Sequence, residues 1–185
     1  MTRLTTIAAV RAFAGIASTD LDSLIDACIL RASAAVQNFT QRTLLSASYS
    51  ELRDGHGGAE MLLREYPVTA VASVAVDGQS IPPAPDFSGA GWRLADRSVL
   101  LNGYRFTRGA ANVTIGYTAG YADLAALPDD IEHAVIETVQ LMIERRKHID
   151  VSSKSLAGET VSYITAELTP SSKQILQSYR RVAPL

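Results

Sequence analysis

Two pairs of side chains in this sequence have the spacing of helix-borne metal ligands. His133 and Glu137 stand four residues apart, as do Glu144 and His148, so each pair lies on one face of a helix and offers two donors. A closed metal site needs three or four converging ligands. The sole cysteine, Cys28, falls on an apolar stripe far away in the chain, so both pairs read first as ordinary surface pairs of the i, i+4 kind. Asp54, His56 and Glu60 make a second candidate cluster, but Gly55, Gly57 and Gly58 among them point first to a tight turn.

Covalent catalysis finds little support. The chain has no nucleophile elbow of the Gly-x-Ser-x-Gly kind and no triad spacing, and Cys28 stands with Leu24, Ile25 and Ile29 where core packing is expected of it. Gly116 and Gly120 lack the lysine and hydroxyl of a phosphate-binding P-loop and the spacing of a dinucleotide fingerprint. No cofactor, catalytic residue or metal is therefore expected. The basic run Arg145-Arg146-Lys147-His148 has two readings that sequence leaves open: complementation of a helix C-terminus, or a positive patch for an acidic partner or passing DNA.

The elements that would carry these residues fall into four stretches. Residues 1–45 read as helical: Thr5 or Thr6 caps a short helix through Phe13 that stops at Gly15, and a second helix opens at Ser18-Thr19-Asp20 with Asp22 completing a weak capping box. Leu21, Leu24, Ile25, Cys28, Ile29, Ala32, Val36 and Phe39 then recur at spacings of three and four. Residues 46–121 change to a period of two, with strands around Tyr49 to Arg53, Met61 to Leu63, Val68 to Val76, Trp92 to Leu94 and Val99 to Leu101, and a last one ending near Tyr117. Asp77-Gly78 and Asn102-Gly103 mark turns, and Pro82-Pro83-Ala84-Pro85 a surface loop.

Residues 122–168 hold a helix with the stripe Ile131, Ala134, Val135, Val139, Met142 and Ile143, then a polar stretch from Asp150 to Thr160 expected to be a mobile loop. Thr169-Pro170 opens a final short helix with Ile175, Leu176 and Tyr179 on one side and Lys173, Arg180 and Arg181 on the other. The two long stripes are complementary. The predicted fold is α+β, a helical bundle core with an inserted small, mostly antiparallel β-sheet, all within a single domain of residues 1–185. Leu24, Ile25, Cys28, Val36, Val135, Val139 and Met142 are expected to be buried together.

Composition narrows the class of function. Hydrophobic residues make up 47% of the 185 and charged ones 19%, enough apolar material for a core. A formal net charge of −2 gives no global drive toward nucleic acid, so sequence-specific DNA binding is not expected. No run approaches the length of a membrane span, no signal peptide is expected, and a single cysteine fits a reducing compartment.

One junction is more specific than the rest. Gly116-Tyr-Thr-Ala-Gly-Tyr121 closes the β-rich middle, and Leu127-Pro-Asp-Asp-Ile131 opens the long helix with Pro128 in its first turn and two aspartates at its positive end. With Tyr66-Pro-Val68 leading into an apolar strand, the Asp77-Gly78 turn and an acidic-capped helix near the start, this order resembles the phage head-tail connector, or adaptor, family, as in long-tailed phages and gene transfer agents. The resemblance implies a non-enzymatic ring between portal and tail, twelve-fold in the assembled particle, that extends the DNA channel and docks the next neck or tail-terminator protein. It implies a virion protein assembled in the host cytoplasm.

A docking segment is expected at the C-terminus, residues 169–185, through Lys173, Arg180, Arg181, Val182 and Leu185, with a helix packed on the protein's own core as the open alternative. The rival function is a small ligand-binding domain or enzyme that uses the sheet surface around Trp92, Tyr104 and Phe106.

Overall fold

The Thr6 side chain accepts the backbone N–H of Ala9 at 3.1 Å and turns the chain into its first helix, which ends at Gly15 in the left-handed conformation. The computed structural model describes residues 2–86, 88–146, 153–156, 159–162 and 168–181, of which 153–156 and 159–162 are described by backbone alone. In chain order the elements are α1 (Ile7–Ala14), α2 (Asp22–Thr40), β1 (Ala47–Gly55), β2 (Glu60–Leu62), β3 (Val68–Val76), β4 (Gln79–Ile81) and β5 (Gly91–Ala95). They continue with β6 (Ser98–Asn102), β7 (Gly109–Ala119), α3 (Asp129–Arg146), β8 (Ser153–Leu156), β9 (Glu159–Ser162) and α4 (Pro170–Gln177). The chain divides into two units, residues 1–42 with 124–180, and residues 43–123 with 181–185.

The first unit is helical. α2 and α3 pack along their apolar stripes, with Ile25, Ile29, Ala32 and Val36 facing Ile131, Ala134, Val135 and Val139, all withdrawn from solvent. Leu24 and Met142, expected in that core, are only half-buried: each lies at the flank of its stripe, where the helix surface turns outward. The capping box at Thr19 does not form. Instead Ser18 and Asp20 bond to each other, and α2 begins at Asp22 behind Leu21, which offers no capping side chain. The stretch expected as a loop carries an antiparallel pair, β8 with β9, with Leu156 opposite Glu159. The rest of that stretch, residues 150–152 and 157–158, lies outside the described residues.

The second unit contains two antiparallel sheets, ordered β1-β7-β3-β4 and β2-β6-β5. The inward positions of both sheets close on one core: Val74, Ile115 and Tyr117 from the larger, Met61, Val99 and Leu101 from the smaller, with Phe106 from the loop before β7. Asp77 and Gly78, both at positive φ, make the tight turn between β3 and β4. Of the proline segment, Pro82, Pro83 and Pro85 are exposed as expected of a loop. Ala84 is buried, because its N–H donates to the Trp92 carbonyl while the Trp92 N–H donates to that of Pro82.

These sheets correct the predicted architecture. The protein is not a helical bundle core with a small inserted sheet: strands of nine and eleven residues bury their own apolar side chains between two sheets, and that unit has a hydrophobic core of its own. Helical stripes stand out at a spacing of three and four, whereas β7, GAANVTIGYTA, mixes small and polar residues among its inward Val113, Ile115 and Tyr117. The sheet core was therefore underestimated.

Candidate docking surface

α4 opens with its own cap. The Thr169 hydroxyl oxygen accepts the N–H of Ser172 at 3.0 Å, and Pro170 occupies the first turn, where a missing N–H costs nothing. The helix is then anchored inside its unit: Leu176 is fully buried, Ser172 Oγ donates to Glu137 at 2.6 Å, and the Tyr179 hydroxyl reaches both carboxylate oxygens of Asp130 at 2.9 Å. Arg42 donates to the Tyr179 carbonyl at 3.1 Å. The described part of the segment is thus a packed helix.

Its basic residues take three different environments. Lys173 is exposed, Arg180 lays its guanidinium over the Phe39 ring at 5.9 Å, and Arg181 pairs with the buried carboxylate of Glu65. Val182 and Leu185 lie outside the described residues. Of the three basic residues, Lys173 and Arg180 are exposed and Arg181 is half-buried.

Several of the described residues singled out for metal binding take part in structural contacts. Glu137 anchors α4, and the exposed His133 ring meets Phe13 edge-on at 5.6 Å. Asp54 accepts the Ala111 N–H at 2.6 Å, His56 Nδ1 accepts the Gly58 N–H at 3.0 Å, and Glu60 stays exposed on β2. Among the described residues, no three His, Cys, Asp or Glu groups gather as metal ligands. Cys28 is buried, and that burial pushes its thiol above the ordinary range, away from the reactive thiolate. Arg145 and Arg146 close the last turn of α3, at the negative end of the helix, while Lys147 and His148 lie outside the described residues. Of the aromatic set, Phe106 is fully buried, while Trp92 and Tyr104 are half-buried against the same core.

Sequence reasoning missed a buried polar group in the sheet unit. The Tyr117 hydroxyl donates to Glu51 and accepts the Glu65 N–H at 3.1 Å; Glu51 also takes Arg53 at 2.9 Å and the Arg64 N–H at 3.0 Å. Burial first, and the Glu51 carboxylate second, push the Tyr117 hydroxyl well above the ordinary tyrosine range. The signal was in the alternation. Tyr49, Glu51 and Arg53 share one face of β1, so a half-buried strand placed an acid and a base on its inward side. These groups position backbone and one another, and the arrangement offers no reacting centre.

Residues 3–182 match the family model described as head completion protein. No curated protein sequence matches. Among solved structures, the neck of an empty gene transfer agent particle computed with C6 symmetry is 20% identical, with a TM-score of 0.61 over 98% of this chain and 92% of that one. The neck of a native particle computed with C12 symmetry is 19% identical, with a TM-score of 0.53 over 100% of this chain and 96% of that one. A chain from the virion of a native gene transfer agent is 19% identical, with a TM-score of 0.57 over 98% and 92%. These structures share the fold.

Proposed function

The chain belongs to the head completion protein family, as a structural virion protein and not an enzyme, and from that premise we propose that it forms a ring between portal and tail. The ring extends the DNA channel and gives the next neck or tail-terminator protein its docking surface. Twelve copies match the symmetry of the neck to which the fold is similar. DNA passes without sequence-specific contact, consistent with the net charge of −2. Assembly takes place in the host cytoplasm. The observation that carries the reading is a family match running over both structural units, which favours one connector domain of residues 1–185.

Within this reading the C-terminal segment docks on the portal through Lys173, Arg180, Arg181, Val182 and Leu185. Arg181 in that segment pairs with Glu65. Two truncations test the docking role. Removing residues 169–185 strips Leu176 and the Glu65 partner, so it should destabilise the fold. Removing only residues 182–185 leaves every described contact in place and should lower portal affinity at least tenfold, with an unchanged denaturation midpoint. Undiminished portal binding by that shorter variant would remove the tail from the proposal.

A further inference from the structure

Glu65 is nearly withdrawn from solvent, at 6% exposure, and the backbone that carries it is held at two consecutive N–H groups. That of Arg64 donates to Glu51 at 3.0 Å, and that of Glu65 to the Tyr117 hydroxyl at 3.1 Å. Tyr117 donates in turn to Glu51, so both holds belong to one buried network within the sheet unit. A carboxylate on backbone fixed in this way is a rigid base for whatever it binds.

Arg181 reaches that carboxylate from 116 residues away in the chain and gives it Nη2. Its Nε is buried with no acceptor among the described residues, yet 34% of the side chain stays exposed. A guanidinium carries five N–H donors in a rigid plane, and the contact with Glu65 engages one of its three nitrogens. The pair thus leaves donors to spare on a cation that is already in place. Lys173, in contrast, is exposed with no ion pair among the described residues, so ordering it on a partner costs the freedom of a long side chain. Arg181 has given up much of that freedom beforehand. A buried carboxylate also retains its cation, because separating the pair would leave charge where water is scarce.

We propose that Glu65 is a positioning residue for docking: it holds the Arg181 guanidinium so that the remaining donors meet a carboxylate on the portal. The inference rests on the C-terminal docking reading above and adds to it a residue of the sheet unit. Glu65 acts through Arg181 alone and stays paired with it in the docked state.

A double-mutant cycle on affinity for purified portal tests it, with Glu65→Gln, Arg181→Ala and the two combined, each denaturation midpoint being measured alongside. Both single variants should bind at least fivefold more weakly, and the combined variant no more weakly than Arg181→Ala. Arg181→Lys keeps the charge but not the planar fork, and should bind at least threefold more weakly with the fold intact; it carries the test if Glu65→Gln does not fold. Unchanged affinity in Glu65→Gln would reduce the pair to a structural role and overturn the inference. Tighter binding by Glu65→Gln would show a pair that competes with the portal, and losses that add in the combined variant would show Glu65 acting apart from Arg181; either overturns it too. Full affinity in Arg181→Lys would do the same. Full affinity in both Arg181→Ala and the variant without residues 182–185 would end the docking reading itself.

Discussion

Gly120→Ala is expected to cost on the order of 3–5 kcal/mol. Gly120 has φ +109°, a backbone region that residues with a side chain rarely adopt. An added Cβ would stand 2.6 Å from the carbonyl oxygen of Leu45 and 2.7 Å from its carbon, so backbone rather than a flexible side chain must move. The same residue donates its N–H to the Pro67 carbonyl at 2.9 Å, and its neighbour Tyr121 bonds to the backbone at Leu44 and Ser46. Relief of the clash would pull on both. Gly78→Ala is the control: its φ is +76°, but an added Cβ meets nothing within 4 Å, so only the left-handed penalty of about 1–2 kcal/mol applies. Chemical denaturation of both variants checks the difference, and equal costs would remove the close approach at Leu45 as the cause.

Tyr117→Phe should cost on the order of 2–3 kcal/mol near neutral pH. The ring still fills its place against Tyr49, with centroids 5.5 Å apart, so packing is nearly kept. What is lost is a donor to the buried Glu51 and an acceptor for the Glu65 N–H. The hydroxyl also sets a pH dependence. Its folded-state pKa lies above that of an unfolded tyrosine, so the folded state holds the proton more tightly. Its contribution is therefore complete below about pH 10, the ordinary tyrosine value, and is lost progressively as pH rises above it. Denaturation midpoints measured from pH 8 to 11 should fall more steeply for the unchanged protein than for Tyr117→Phe. Parallel curves would contradict a protonated hydroxyl between Glu51 and Glu65.

Local signals were legible in this sequence where one or two residues decide the backbone. Thr6 and Gly15 bracket α1, Thr169 and Pro170 open α4, and β3 runs from Val68 to Val76, the bounds its valine pattern suggested. Thr19 shows the limit of such signals: Ser18 and Asp20 satisfy each other first, and the helix starts later without them. Periodicity identified the faces of α2 and α3 but not their edges, so Leu24 and Met142 were placed too deep. The balance between helices and sheets was harder to see. It depends on which side chains from distant strands share a core, and Phe106, fully buried between Tyr104 and Thr107, carries no periodic signal at all. The C-terminal segment was the least legible part, because charge in a sequence does not tell which arginine is already paired. Arg180 lies over Phe39 and Arg181 on Glu65, contacts across 141 and 116 residues of chain.

The central claim is that this chain completes a filled head by forming a ring at its portal vertex. Its most direct measurement uses DNA-filled heads made without this chain, to which purified protein is added, with bound copies per head counted at saturation and DNA retention followed in time. The account predicts saturation near twelve copies per head, matching the C12 neck of similar fold, together with retained DNA and heads that now accept tails. Saturation at one or two copies, or heads that keep losing DNA with the sites filled, would contradict it.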